Sequence, residues 1–482
     1  MKNIIIALCC LLFTACSDVL EEHPKALASE TFYKTHEDVK YALNAMYDPL
    51  EHSYAMGALY PAQQEAYADY GFGRGSYTLV SEYQGLDDTN IGRIGSMWEF
   101  FYRAIRNANL VLERVPFSDE LTDSEKATAY GEARFIRAMV YMLMVQNWGG
   151  VPLRVVENAM EVNVPRSSVA EVWAQIESDL RFAAGNGILP SVPRKWGTPS
   201  HWSAKTLLVE CLLHQKKYEE AKSIAEEIIN SKVYSLIKVL EEDDFANLYG
   251  ANLVSTTEEI FYIKYAQLVW RGWEFPMFPH HPGGGYINGN GYFALISDSQ
   301  NKVIANWDDN DLRKSWNWYS WDIGIGPTTI LNRKYRDKTA PDLSHIGVDY
   351  PLYRYADLLL WYAELDCRVN NRVTPEALEV LNQIHRRGYG YDYEQSSPVD
   401  FKLTDFNDAT SFLNAVIKER GYETCYEGKR WCDLKRLGIA KEIIKREKGI
   451  DVAEKHMLFP IPLSEMNYNK ALDPLKDQNP GY

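Results

Sequence analysis

The chain has 482 residues and a formal net charge of -15. That acidity excludes an electrostatic grip on nucleic acid or anionic lipid, both of which need a basic surface. It leaves neutral ligands open, and 32 Tyr with 13 Trp suit neutral sugars: the apolar C–H face of a pyranose packs on a ring while its hydroxyls need polar partners at the rim.

In chain order, Lys2 is followed by an apolar run from Ile4 to Phe13. A helix needs about 20 residues to span a bilayer core, so this run is too short and instead has the length of a signal-peptide h-region. Leu12-Phe13-Thr14-Ala15-Cys16 closes it and looks like a bacterial lipobox, in which the Cys16 thiol takes a diacylglycerol and becomes the new N-terminus. Residues 1–15 are then a leader. Each buried methylene contributes about 0.8 kcal/mol, so two or more acyl chains anchor stably. Beyond the leader, Cys211, Cys367, Cys425 and Cys432 show no CxxC and no metal-like spacing. Export permits a disulfide, but scattered Cys of this kind read as small buried apolar residues.

Helical periodicity dominates the rest of the chain. Glu37–Leu50 carries an apolar stripe at Val39, Leu43, Met46, Tyr47 and Leu50. Trp98–Val115 is a second predicted helix. Ser124–Trp148 is a third, stopped by Gly149-Gly150, and Ser168–Ala184 a fourth, capped by Ser167 or Ser168. Ser203–Gln215 and Tyr218–Asn230 form a helix–turn–helix of tetratricopeptide type. Tyr355–Val369 and Pro375–Arg387 form another, with Pro375 at a first-turn position. Such pairs need stacked neighbours to bury their faces, so about four are expected. Between them, 54–95 reads as a loop with short elements and Glu258–Tyr265 as a strand. Residues 266–346 read as a packed insertion with loops and short strands, holding six of the 13 Trp. The predicted fold is mainly all-α: one domain over 16–482, a tetratricopeptide-like scaffold with an irregular, aromatic-rich insertion.

Catalytic chemistry finds little support. Asp308, Asp309 and Asp311 are too close in sequence to flank a scissile glycosidic bond, and Asp311 is expected to pair with Arg313 or Arg336. Adjacent His280 and His281 seldom share one ion. No GxSxG, HExxH, P-loop or Rossmann pattern is present, so no catalytic residue, metal or cofactor is expected. Arg354, Asp357, Glu427, Lys429, Arg430 and Asp433 lie on scaffold helices and read as interior salt bridges and caps. Trp98, Trp148, Trp173, Trp361 and Trp431 read as core, while Trp196 and Trp202 flank a turn and fit either role. The ligand candidates are the Trp and Tyr of the insertion: Trp270, Trp273, Trp316, Trp318, Tyr319 and Trp321. In SWNWYSW a strand would put Trp316 and Trp318 on one face, Tyr319 and Trp321 on the other.

Several segments resemble, in order, the SusD/RagB lipoproteins of Bacteroidetes outer membranes. They are the post-Cys16 stretch through HEDVKYALNAMYD, WEFFYRAIRNANLVLERV, GEARFIRAMVYMLMVQNWGGVPL, VPRSSVAEVWAQIESDL, VDYPLYRYADLLLWYAEL, YEGKRWCDLKR, and LFPIPLSEMNYN with a terminal QNPGY. Departures fall at His385-Arg386-Arg387-Gly388 and at Gly421, where a charged residue is usual. The resemblance implies a surface lipoprotein of the outer membrane that captures an oligosaccharide and caps a SusC-like TonB-dependent transporter, with four tetratricopeptide-like units and a ligand site on loops outside them. It adds Tyr70, Arg74, Tyr77, Asp88 and Asn90 as candidate ligand contacts, with Arg74 a donor and Asp88 and Asn90 acceptors. The alternative reading is a transporter lid with peptide or other non-glycan cargo and little carbohydrate affinity.

Overall fold

The helices begin where the sequence supplies side-chain acceptors for the orphan N–H groups of a first turn. Thr122 with Glu125, Ser168 with Glu171, and Ser200 with Ser203 form reciprocal capping boxes. Asp87 caps through the amide of Asn90, and Thr374 caps a helix whose first residue is Pro375. The structure, a computed structural model, describes residues 32–482; the expected leader and the lipid site expected at Cys16 lie outside them.

The scaffold helices run in chain order as α1 (His36–Ala45), α2 (Leu59–Ala66), α3 (Asp88–Arg114), α4 (Asp123–Trp148), α5 (Val169–Ala183), α6 (His201–His214), α7 (Tyr218–Ser231), α8 (Tyr355–Asn370), α9 (Pro375–Gly388), α10 (Ala409–Glu423), α11 (Arg430–Arg436) and α12 (Ala440–Lys448). From α3 to α9 each packs on the next, and α10 closes the stack against α8 and α9. Both predicted helix–turn–helix pairs form, as α6 with α7 and α8 with α9. No helix among the described residues is long and apolar enough to cross a membrane.

Two boundaries differ from the sequence reading. α3 starts at Asp88, ten residues before Trp98, and 54–95 is partly helical, holding α2 and the first turns of α3. Gly92, Gly95 and Ser96 are weak helix formers that mask the periodicity, and the Asp87 cap outweighs them. Glu37–Leu50 breaks at Met46 because Pro49 cannot continue a helix; a separate turn, Asp48–Glu51, comes next.

The segment between α7 and α8 carries most of the strands. β2 (Glu259–Ile263) pairs with β6 (Tyr350–Arg354), bringing the two ends of the segment together. β1 (Phe72–Gly73), β3 (Leu295–Asp298), β5 (Thr329–Asn332) and β4 (Trp318–Ser320) form an antiparallel sheet in that spatial order. The short β1 thereby ties the loop before α3 to the insertion.

Behind this sheet lies a buried network of charges. Arg354, fully buried, donates to Glu423 (2.9 Å) and Glu427 (2.7 Å) and pairs with Glu258 (3.2 Å). Lys334 reaches Glu427 at 2.6 Å, and Arg313 reaches Asp311 (2.7 Å) and Glu419 (2.6 Å). Asp357 pairs with Arg420 (2.9 Å) and Lys429 (2.6 Å), and Arg430 with Asp69 (2.6 Å). Burial alone would raise Glu427, but Arg354, Lys334 and Lys429 overcome it and hold the carboxyl well below the usual range. The expected interior salt bridges and the Asp311–Arg313 pair are therefore present. Cys211, Cys367, Cys425 and Cys432 are unbridged thiols, the first three buried.

Candidate functional site

A strand alternates its side chains between two faces, and β4 does so at the edge of the four-stranded sheet. Trp318 points inward, edge-on to Tyr70 (6.1 Å) and Tyr426 (5.4 Å). Tyr319 points outward with Trp321, their centroids 6.2 Å apart. From this pair a strip of half-buried rings runs both ways. On one side Tyr319 meets Tyr286 at 5.0 Å. On the other Trp321 meets His281 at 5.1 Å, and His281 meets Phe293 at 4.8 Å. The Arg74 guanidinium lies 4.4 Å over Phe293 and donates to its carbonyl, while Arg333 caps Tyr286 at 5.1 Å and donates to its phenol.

Glycine makes the strip possible. The turn Pro282–Gly284 is closed by Gly284 N donating to the His281 carbonyl (2.9 Å) and Gly283 N to His281 Nδ1 (3.0 Å). A Cβ on Gly283 would lie 2.4 Å from the Trp321 ring, and one on Gly284 2.5 Å from Tyr319 Oη. Neither position admits a side chain without moving an aromatic. Tyr319 Oη, beside this turn, has no hydrogen-bond partner among the described residues. Burial, followed by Tyr286, pushes this buried phenol up to about 12, so it stays protonated. The strip is a row of half-buried rings with an arginine over the ring at each end, an aromatic surface of the kind that packs on planar or pyranose faces.

Of the candidate residues, Arg74, Tyr319 and Trp321 meet in this strip. Six others are corrected to core. Tyr70 donates to Glu65 (2.8 Å) and accepts from the Tyr426 amide (3.2 Å). Tyr77 packs under Phe278, with Arg93 over its face. Asn90 is inside the first turn of α3 and donates to the Ser76 carbonyl (2.7 Å), holding the Arg74 loop instead of facing ligand. Trp273 is fully buried and donates to the Met56 carbonyl (3.1 Å). Trp316 ends a helical turn, Leu312–Asn317, and not a strand; it is buried with Arg336 3.6 Å over its face. Trp318 is the inward residue of β4. Asp88 is exposed at the start of α3, and Trp270 stands apart from the strip at the tip of a turn, 80% exposed. Sequence reasoning missed Tyr286, His281 and Phe293 as strip members. The signal was the glycine triplet at 283–285 beside an aromatic strand, since a glycine run packs where a ring must be approached closely.

His280 is buried, and desolvation with the neighbouring His281 pushes it down to about 4. Among the described residues no group of three or more His, Cys, Asp or Glu has metal-binding geometry.

The SusD family model matches residues 282–482, and a second family model, described as "Starch-binding associating with outer membrane", matches residues 18–210. The SusD-like protein P2 of Formosa agariphila is 26% identical, with all of both chains covered. The SusD-like protein P25 of the same organism is 23% identical over all of this chain and 99% of its own. Among solved structures, a SusD homolog from Bacteroides thetaiotaomicron superposes with TM-score 0.78 at 20% identity, covering 94% of this chain and 98% of that one. The surface glycan-binding protein A from the same species gives TM-score 0.75 at 20% identity, covering 94% and 100%. The order of helices, the insertion between α7 and α8 and the matched stretches at both ends agree: the chain belongs to the SusD/RagB family.

Proposed function

We propose that this chain is a non-catalytic, glycan-binding lipoprotein of the outer-membrane surface, tethered through lipid on Cys16. It captures a neutral oligosaccharide on the Tyr286–Tyr319–Trp321–His281–Phe293 strip and delivers it to a SusC-like TonB-dependent transporter. The observation that carries the reading is the row of half-buried rings held by Gly283 and Gly284. Stacking platforms of this kind suit sugar faces, and the acidic chain disfavours anionic cargo. The relatives point the same way, since family models and neighbours carry starch- and glycan-binding names.

Calorimetric titration with a panel of neutral polysaccharides tests it. The full mature chain binds at least one of them. Trp321→Ala and Tyr319→Ala each weaken binding about tenfold or more, a loss of about 1.4 kcal/mol or greater. A chain that binds none of the panel but retains peptides would overturn the glycan reading in favour of a lid with peptide cargo. For the tether, Cys16→Ala should release the protein from outer-membrane fractions; unchanged partitioning removes the anchor.

A further inference from the structure

Trp196 lies in the connection from α5 to α6, and neither the scaffold core nor the aromatic strip uses it. Its turn is tightly built. Thr198 donates to the Lys195 carbonyl through both its amide (3.0 Å) and its hydroxyl (2.7 Å), and the Lys195 amide donates back to that hydroxyl (3.3 Å). Gly197 has φ +85°, and a Cβ there would sit 2.7 Å from Lys264 Cγ. Only glycine lets the turn lie down on the end of β2. The ring of Trp196 is thus presented from a rigid turn with 39% of the residue exposed.

Two clefts meet at this turn, and Trp196, Gly197 and Thr198 form the wall they share. One, of about 450 Å³, runs along α1 and is lined by Tyr41, Asn44, Asp48 and Asn107. Tyr41 is 55% exposed at its rim. The other, of about 370 Å³, is lined by the hydroxyl-bearing Ser191, Tyr234, Ser255 and Thr257. Of the basic groups lining the first cleft, Lys264 pairs with Glu259 (2.7 Å) and Asp349 (2.8 Å) and Arg271 with Glu51 (3.3 Å), while Lys195 is exposed at the turn itself. The result is a rigid aromatic ridge with amide and carboxylate groups on one side and hydroxyls on the other. That is the chemistry of a neutral polyhydroxylated ligand that crosses a ring.

We infer that Trp196 is the ridge of a second sugar-binding groove, separate from the aromatic strip, for a neutral oligosaccharide long enough to place one residue on the ridge and one in each flanking cleft. The inference rests on the glycan-binding reading above and adds to it a second point of attachment. Two sites on one chain hold a polysaccharide more tightly than either alone, because the second contact is intramolecular.

The test titrates the full mature chain in detergent with neutral oligosaccharides cut from whichever polysaccharide it binds. The wild type takes two oligosaccharides per chain. Trp321→Ala combined with Tyr319→Ala keeps one, and adding Trp196→Ala abolishes it. Trp196→Ala alone lowers the stoichiometry to one and weakens retention of the intact polysaccharide about tenfold or more. Trp196→Tyr, which keeps a ring on the same turn, retains the second site, and Tyr41→Ala weakens it without touching the turn. If the strip-disabled chain binds nothing while the wild type binds one oligosaccharide, the second groove is wrong and the first reading stands. If the wild type binds no glycan, both fall. A Trp196→Ala chain with unchanged stoichiometry and retention also overturns the groove.

Discussion

At the scale of single residues, the decisive distinction is which aromatics keep part of their surface in solvent. Trp273, Trp316 and Trp318 come from the same insertion as Trp321, yet each is buried against an arginine, a tyrosine or a backbone carbonyl. No feature of the sequence separates them from Trp321, because burial here depends on partners far away in the chain, such as the Met56 carbonyl, 217 residues from Trp273. Charges are easier to read, since a buried ion must be paired, and Arg354 is the clearest case. Its guanidinium answers Glu258, Glu423 and Glu427 at once. Arg354→Met keeps the volume but leaves these carboxylates under-compensated in a dry interior. Removing one partner of a buried pair costs about 3–5 kcal/mol. Urea unfolding of the variant should show stability lowered accordingly; a loss of less than about 0.5 kcal/mol, the scale of a surface substitution, would mean that the network adds nothing to stability.

At the scale of elements, the capped helices α4, α5 and α6 are legible in the sequence almost to the residue, and α7, without a side-chain cap, is legible from its apolar stripe of Ala221, Ala225 and Ile228. The sequence reading truncates α3 because its first three turns carry Gly92, Gly95 and Ser96 while its cap, Asp87, sits in a polar run that looks like loop. The strand β4 is half legible: Tyr319 and Trp321 do share a face, but Trp316 belongs to a preceding helical turn, and the alternation begins only at Trp318. The turn at 282–284 is the element on which the platform depends. Gly283→Ala inserts a methyl 2.4 Å from the Trp321 ring, closer than any non-bonded contact tolerates, in an exposed turn that can shift without unfolding the core. Its expected signature is therefore a split: glycan affinity falls about tenfold, while the melting temperature moves by less than about 2 °C, since little buried area is lost. Unchanged affinity would detach the strip from ligand binding.

At the scale of the whole molecule, the charged network fastens the insertion to the stack, so its protonation sets the pH range over which the aromatic strip stays attached to the scaffold. Glu419 illustrates the sign. Burial would raise it, but Arg313 and His385 around it bring it down to about 2, and Arg436 and Arg368 do the same for Glu364. A carboxyl whose folded value is depressed releases its proton more readily folded than unfolded. Its stabilisation is complete above the ordinary value near 4.5 and is lost as pH falls through that value towards 2. Arg313 comes from the insertion and Glu419 from α10, so acid weakens the junction between the two. Urea midpoints should hold their carboxylate contribution between about pH 5 and 7 and drop steeply from about pH 4 to pH 2. Glu419→Gln should already be destabilised at neutral pH, because Arg313 and His385 lose a charged partner, and its midpoint should fall less across that acid range than that of the wild type. Parallel acid limbs for the two proteins would remove Glu419 from the junction and leave the insertion's attachment to its other ion pairs, such as Lys334–Glu427 and Arg313–Glu423, to β2–β6 pairing and to apolar packing.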